Sequence, residues 1–235
     1  MMGSNFAAAL AHLEQSGGRP EDFSVPFVEF LPITGAAVST LGDVLGSETL
    51  SASDERAARL DELQFDLGEG PCWDALRSAH PVAAASLRVD GRKRWPAFVG
   101  ALEGEDVNSL FAFPLLVGPL RLGAVDLYSR EPTVLNADHE HRAAALAYVI
   151  SRHVLRLALD DHAREEPLQQ PLSRRVVHQA TGVVLAQLEM SADDARLVIQ
   201  GQAFAMGRAM TDVAEDIVAG RLRFTRQDDR IEVES

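Results

Sequence analysis

The stretch HQATGVVLAQLEMSADDARLVIQGQAFAMGRAMTDVAEDIVAG, residues 178–220, decides how this chain is read. With its flanks it spans Leu172 to Phe224. Apolar or small residues recur at Val176, Ala180, Val183, Val184 and Leu188, the three-to-four spacing of one helical face. Ser191 followed by Asp194 forms a capping box, so a second helix is predicted to start there and to turn Ala195, Val198, Ile199 and Ala203 inward. Gly207 suits the left-handed residue that stops that helix, and Thr211 is a good N-cap for a third. Val213, Ala214, Ile217 and Val218 supply the third apolar face before Gly220. The residues alone thus predict a three-helix module of about fifty residues, and a dimerisation or docking bundle would satisfy them as well.

The run Ala180, Gly182, Ser191, Asp194, Ala195, Ala203 and Asp212-Val213-Ala214 resembles the ANTAR domain, an RNA-binding module of transcription antiterminators, from Arg174 to Gly220. Thr181 and Thr211 depart from the family pattern, which often carries Lys and Arg at or near these places. The segment 172–224 holds six arginines and six acids, while the whole chain carries a formal charge of −13. A protein that binds nucleic acid chiefly through phosphates shows a basic footprint. Here the acids gather at helix starts, where the macrodipole favours them, and the arginines cluster at 174–175, 208 and 221–223. Such a distribution favours a structured RNA loop with splayed bases over a uniform duplex. The exposed candidates for RNA contact are Arg174, Arg175, Gln179, Thr181 and Arg208, while Ala180, Gly182 and Ala203 are expected to serve close helix packing.

At 235 residues and 46% hydrophobic, the chain can bury one sizeable core plus a small satellite domain. No apolar run approaches the roughly 20 residues that span a bilayer, and no signal-peptide pattern opens the chain, so the cytoplasm is the expected location and no membrane partner is expected. The single cysteine, Cys72, excludes an intramolecular disulfide and an all-cysteine metal site.

Outward from the quoted stretch, Phe6–Leu13 reads as a short helix and Glu21-Asp22 as the start of a second one through Leu31. Strands are predicted at 34–41 and 49–53, followed by an exposed helix from Asp54 to Leu63. In LGEGPCWDAL the glycines permit a tight turn and Pro71 opens a helix from Cys72 to Ala79. A short strand follows at 81–85, a charged loop at 90–94 and a helix at 95–102. Ser109–Leu116 and Leu120–Tyr128 make the strongest strand pair, joined by Val117-Gly118-Pro119. Asn136 caps a long helix running to about Arg164, and Pro167 and Pro171 interrupt the chain before the last unit. Residues 225–235 are polar and expected to be disordered.

This order, carried by ITGAAVSTL, LGEGPCWDAL, FAFPLLVGPLRLGAVDLY and the long helix, resembles a GAF domain, a small-ligand-sensing fold of signalling proteins. The expected architecture is therefore α+β. A GAF-like sensor with an antiparallel sheet flanked by helices occupies 6–163, a connector 164–173, a three-helix ANTAR domain 174–224 and a polar tail 225–235.

Cys72 stands at a helix N-terminus, where a dipole favours thiolate, but a small buried hydrophobe is the simpler role. Cys72, Trp73, Trp95, Phe98, Phe111 and Phe113 could line a ligand pocket against the sheet or be ordinary core. The seven histidines give no converging set, so no metal or cofactor is expected. No nucleophile elbow, phosphate loop or dinucleotide fingerprint occurs, so no enzyme is expected. The resemblances together imply a regulator that binds a stem-loop in nascent RNA, acts by antitermination and is controlled by an unidentified small molecule or signal. A homodimer is expected from the apolar excess of the long helix. A three-helix unit that docks protein is the alternative.

Overall fold

The computed structural model describes residues 2–16, 19–41, 45–162, 175–227 and 230–234. It divides into two compact units, Met1–Leu172 and Ser173–Ser235. The 164–173 connector and Arg174 lie outside the described residues.

The first unit is built on a five-stranded antiparallel sheet in the order β2-β1-β5-β4-β3. Its strands are β1 (Gly35–Thr40), β2 (Glu48–Ala52), β3 (Val82–Ala84), β4 (Ser109–Val117) and β5 (Leu120–Ser129). The β4–β5 hairpin is the longest pairing, in keeping with the strand pair read at 109–116 and 120–128, and Gly118 takes φ 57° in its turn. One face of the sheet is covered by α1 (Met2–Ser16), α2 (Val25–Phe30) and α7 (Ala137–His162). On that face Phe27, Val38, Phe111, Phe113, Leu127, Leu146 and Ile150 form one core. The other face carries α3 (Glu55–Leu67), α4 (Pro71–Ser78) and α6 (Pro96–Ala101) over Ala37, Leu60, Trp95, Phe98, Leu110, Ala112 and Tyr128. Burying both faces is what a period-two strand with apolar residues at odd and even positions requires.

Local chemistry sets the helix limits. Asp54 caps α3 by accepting from the Ala57 amide at 2.9 Å, and Gly68 ends it in the left-handed conformation. Asn136 caps α7 through His139 N–H at 2.9 Å. Gly70 takes φ 136°, and a Cβ there would lie 2.3 Å from Gln64 Oε1, which instead accepts from the Cys72 amide. The charged loop predicted at 90–94 is helical instead: a π-type turn at Leu87–Gly91 runs into the single-turn α5 (Arg92–Arg94). Leu87 and Gly91 are buried there, which the charges around them conceal in the sequence.

His153 of α7 is buried, with Nε2 2.8 Å from the Leu13 carbonyl and its ring stacked on Phe23 at 6.3 Å. Burial pushes its pKa down, the Leu13 carbonyl pulls it up, and Arg156 and Arg152 lower it further. The folded pKa therefore lies below the unfolded value of about 6.5, so the unfolded chain binds the proton first. Stability should fall as pH drops through that value toward the folded one. Urea unfolding at pH 7.5 and 5.5 checks this, with the decrement expected to shrink in His153→Gln.

The second unit packs α8 (Arg175–Leu188), α9 (Ala192–Met206) and α10 (Met210–Val218) around Val177, Ala180, Val184, Leu188, Ala195, Ile199, Ala203, Met210, Val213, Ala214 and Ile217. Ser191 caps α9 as predicted, its Oγ accepting from Asp194 N–H at 3.2 Å, but the Asp194 carboxylate takes the Ser191 hydroxyl at 2.7 Å in place of the reciprocal backbone bond of a capping box. Gly207 ends α9 at φ 61°. Three local readings change. Thr211 does not cap α10; Ala209 holds that position, because Met210 is drawn wholly into the core one residue earlier. Val218, expected inward, is 44% exposed. The 225–235 tail, expected to be disordered, contributes to a hairpin of β6 (Arg223–Gln227) and β7 (Arg230–Glu234). Buried Leu222 and Phe224 anchor it, and the Phe224 amide donates to Gln187 Oε1 of α8 at 3.0 Å.

Candidate functional sites

The six residues predicted to line a ligand pocket do not converge on one space. Phe111 and Phe113 point into the α7 side of the sheet, and Trp95 and Phe98 into the α3 side. Phe111 and Phe113 belong to β4, whereas Trp95 and Phe98 belong to the α6 segment packed on the opposite face, so the sheet itself stands between the two pairs. Trp73 Nε1 donates to the Gln64 carbonyl at 2.7 Å, and Cys72 is 1% exposed. Trp95 Nε1 donates to Asp74 at 3.0 Å, with the Arg94 guanidinium 4.3 Å above its ring. Burial raises the Asp74 pKa, but hydrogen bonds from Arg77, Trp95 and Arg94 outweigh it and hold the carboxyl below its usual value. These contacts hold the half-exposed Trp73 and the buried Trp95 in place by their indole N–H groups. A cavity of about 630 Å³ lies elsewhere, beside the N-terminus of α3 and the end of β5.

Among the described residues there is no group of three or more His, Cys, Asp or Glu able to hold a metal ion. No described helix is long and apolar enough to cross a membrane.

In the second unit, Ala180 and Ala203 are buried where helices meet, as expected for small packing residues. Gly182 is exposed, and a Cβ there would meet nothing within 4 Å, so it does not serve helix packing. Gln179 is exposed on α8, while Thr181 is half-buried and donates its hydroxyl to the Val177 carbonyl at 2.7 Å. Two positions on a helix differ by about 200°, so Gln179 and Thr181 cannot meet one partner side by side. Arg175 begins α8.

Arg208, next to the Gly207 stop, donates through Nη1 to Asp216 Oδ2 at 2.7 Å, and Arg221 contacts Oδ1 of the same carboxylate at 2.7 Å. The hydrogen bonds of Arg208, then of Arg221, hold the Asp216 pKa below its usual value. Arg208 and Arg221 are thus one constellation with a net single positive charge. One helical turn before Arg208 stands Phe204, 73% exposed, with Leu197 57% exposed on the same side of α9. Gly201 lies between them, and no atom stands within 4 Å of where its Cβ would be. The sequence reading turned Ala195, Ile199 and Ala203 inward but did not draw the consequence that Leu197 and Phe204 are left on the opposite, exposed side. Their spacing from Ile199 and Ala203, two and one positions off that face, is the signal that could have found it.

A family model for the GAF domain matches residues 27–154, more than half of the chain. The chain belongs to the GAF-domain family. A second model, for the ANTAR domain, matches residues 169–218. The GAF domain from an Acinetobacter phosphoenolpyruvate-protein phosphotransferase superposes with a TM-score of 0.53 at 12% identity, covering 70% of this chain and 97% of that one. The corresponding GAF domain from the Coxiella burnetii enzyme gives 0.50 at 16% identity, covering 69% and 95%. These structures share the fold of the GAF domain. No curated protein matches the chain. A GAF sensor domain followed by an ANTAR domain is a regulator architecture, and neither family model is that of a catalytic domain.

Proposed function

We propose that the chain is a cytoplasmic transcription regulator whose ANTAR domain binds a stem-loop in nascent RNA and prevents a competing terminator hairpin, under control of the GAF domain. The observation that carries this reading is the succession of the two domains along one chain. The chemistry of the second unit supports a particular mode of contact. Its arginines are matched by acids, so affinity rests on splayed loop bases more than on phosphates. Phe204 offers an aromatic face for such a base, Gly201 leaves the helix backbone open beside it, and Arg208 supplies donors one turn away. Arg174, Arg175, Gln179 and Thr181 stay within the proposed surface, with Gln179 and Thr181 serving different partners.

The exposed pair Leu197 and Phe204 also suits a second reading, in which α9 docks protein. The two readings part on RNA affinity. Fluorescence anisotropy of the full chain with a labelled hairpin RNA should give saturable binding with a shallow salt dependence; no binding to any hairpin at low salt leaves the docking reading.

Arg208→Ala should weaken that binding by about 1–3 kcal/mol, the scale of a charge-assisted contact. Because Arg221 shares Asp216 with Arg208, the effects of Arg208→Ala and Arg221→Ala should be non-additive in the double variant. Asp216→Asn releases both guanidiniums from a charged partner and should strengthen binding while steepening its salt dependence, both read from the same titration at two salt concentrations.

A homodimer is part of the proposal. Tyr148 and Leu159 are exposed on one stripe of α7, with half-buried Leu155 between them, and a second copy would cover it. Light scattering of a monomer at micromolar concentration, with and without RNA, would remove this part. The 164–173 connector is the proposed place where the GAF domain changes the disposition of the ANTAR domain.

A further inference from the structure

The cavity beside α3 is a candidate ligand site that the aromatic residues predicted from sequence do not touch. Its volume, about 630 Å³, lies in the range of small-molecule sites. Its wall combines the first turns of α3, the start of β1, the end of β5 and the loop after α6, through side chains that include Thr34, Arg56, Arg59 and Arg130.

The acids in the wall are already engaged. Asp54 accepts from the Ala57 amide at 2.9 Å, from the Tyr128 hydroxyl at 3.1 Å and from Ser53 Oγ at 2.9 Å. Gly35 makes that closure possible, since a Cβ there would stand 2.3 Å from Asp54 Oδ2 and 2.4 Å from the Tyr128 ring. Glu105 takes Arg56 Nη1 at 2.6 Å. Glu55 sits in the first turn of α3, where the helix dipole offsets its charge. The remaining cations are held more loosely, and by acids outside the cavity wall. Arg59 reaches Glu62 through one nitrogen at 3.3 Å, and Arg130 reaches Asp106 at 3.9 Å. All four of these side chains are at least one-third exposed, so such pairs contribute little and exchange readily. Each guanidinium has five N–H donors in a planar fork that matches a carboxylate or phosphate, and these contacts leave most of them unspent.

We infer that this cavity binds a small molecule with two anionic oxygen groups, carboxylate or phosphate, clamped between Arg59 and Arg130. Thr34, Tyr128 and the paired Arg56 and Glu105 also line the cavity. The inference rests on the reading of the GAF domain as a sensor and gives its ligand a charge class. It does not involve the ANTAR domain.

The test is calorimetric titration of the full chain, without RNA, with citrate and separately with inorganic phosphate, against sodium chloride at matched ionic strength. At least one of the two should give a saturable heat that chloride does not. Arg59→Ala and Arg130→Ala should each weaken it by roughly tenfold or more, the scale of losing one charge-assisted fork. Arg19→Ala, whose partners Glu21 and Asp22 lie outside the cavity wall, should leave the affinity unchanged. Thermal melts of the variants check folding, and Arg59→Lys, which keeps the charge and loses the fork, should bind between wild type and alanine. No saturable heat with either probe at about 10 mM, far above the affinity of a two-fork site, would overturn the inference. So would an unchanged affinity in the double alanine variant. Either failure leaves the RNA titration of the ANTAR domain standing as a separate result.

Discussion

Replacing Gly123 by alanine is expected to destabilise the first unit by about 3 kcal/mol, the upper end of overpacking costs. Gly123 lies in β5 opposite Thr40 of β1 and Leu115 of β4, buried between two strands. A Cβ built there would stand 1.9 Å from the Ser39 carbonyl oxygen and 2.8 Å from the Thr40 Cα. Both atoms are backbone, so no side-chain rotation relieves the clash, and β1 must move away from the sheet centre. That movement disturbs the pairing from Gly35 to Thr40 and the contacts of buried Val38 and Leu122. For a domain of this size the melting temperature should fall by roughly 6–12 °C. Gly100→Ala in α6 is the comparison, since its Cβ meets nothing within 4 Å and alanine favours helix. Calorimetry that finds the two variants equally stable would mean the β1–β5 approach is wider than described.

Phe204→Ala should weaken hairpin-RNA binding by about 1–3 kcal/mol, the range for one base stacked on an aromatic ring, so roughly tenfold to a hundredfold. Phe204 is 73% exposed, so it contributes little to the core formed by Ala195, Ile199 and Ala203 on the opposite side of α9. The fold should therefore survive, and circular dichroism should show unchanged helicity. Phe204→Tyr keeps the ring face and should retain most of the affinity, whereas Phe204→Leu keeps apolar area and should not. That contrast separates stacking from apolar docking, since a protein partner would accept leucine. If leucine binds RNA as well as phenylalanine, the stacking assignment fails.

Much of the fold was legible because its signals are local. The β4–β5 hairpin follows from two apolar runs joined by a Gly-Pro turn, and the starts of α3, α7 and α9 follow from Asp54, Asn136 and Ser191. What escaped depends on pairings distant in sequence. Phe111 and Trp95 are both buried aromatics, and only the packing of the α6 segment on the face of the sheet opposite α7 separates them. The β6–β7 hairpin hides in a charged segment because Phe224 needs Gln187 of α8 and the core beneath it to anchor the ladder. Of the proposed RNA-contact residues, Arg208 was singled out from the sequence, but Asp216 eight residues on, which holds both it and Arg221, was not. Gly182 shows the limit from the other side. A small residue in a helix suggests close packing, yet the space above it is open, and only the arrangement of neighbouring helices reveals that.

Crosslinking the protein to RNA in living cells, followed by sequencing of the bound fragments, tests the central claim most directly. The account predicts enrichment of stem-loops that overlap or precede terminator hairpins, with crosslinks at unpaired loop bases and a marked loss in Phe204→Ala. Recovery of RNA no greater than from the Phe204→Ala protein, or fragments without shared secondary structure, would contradict it.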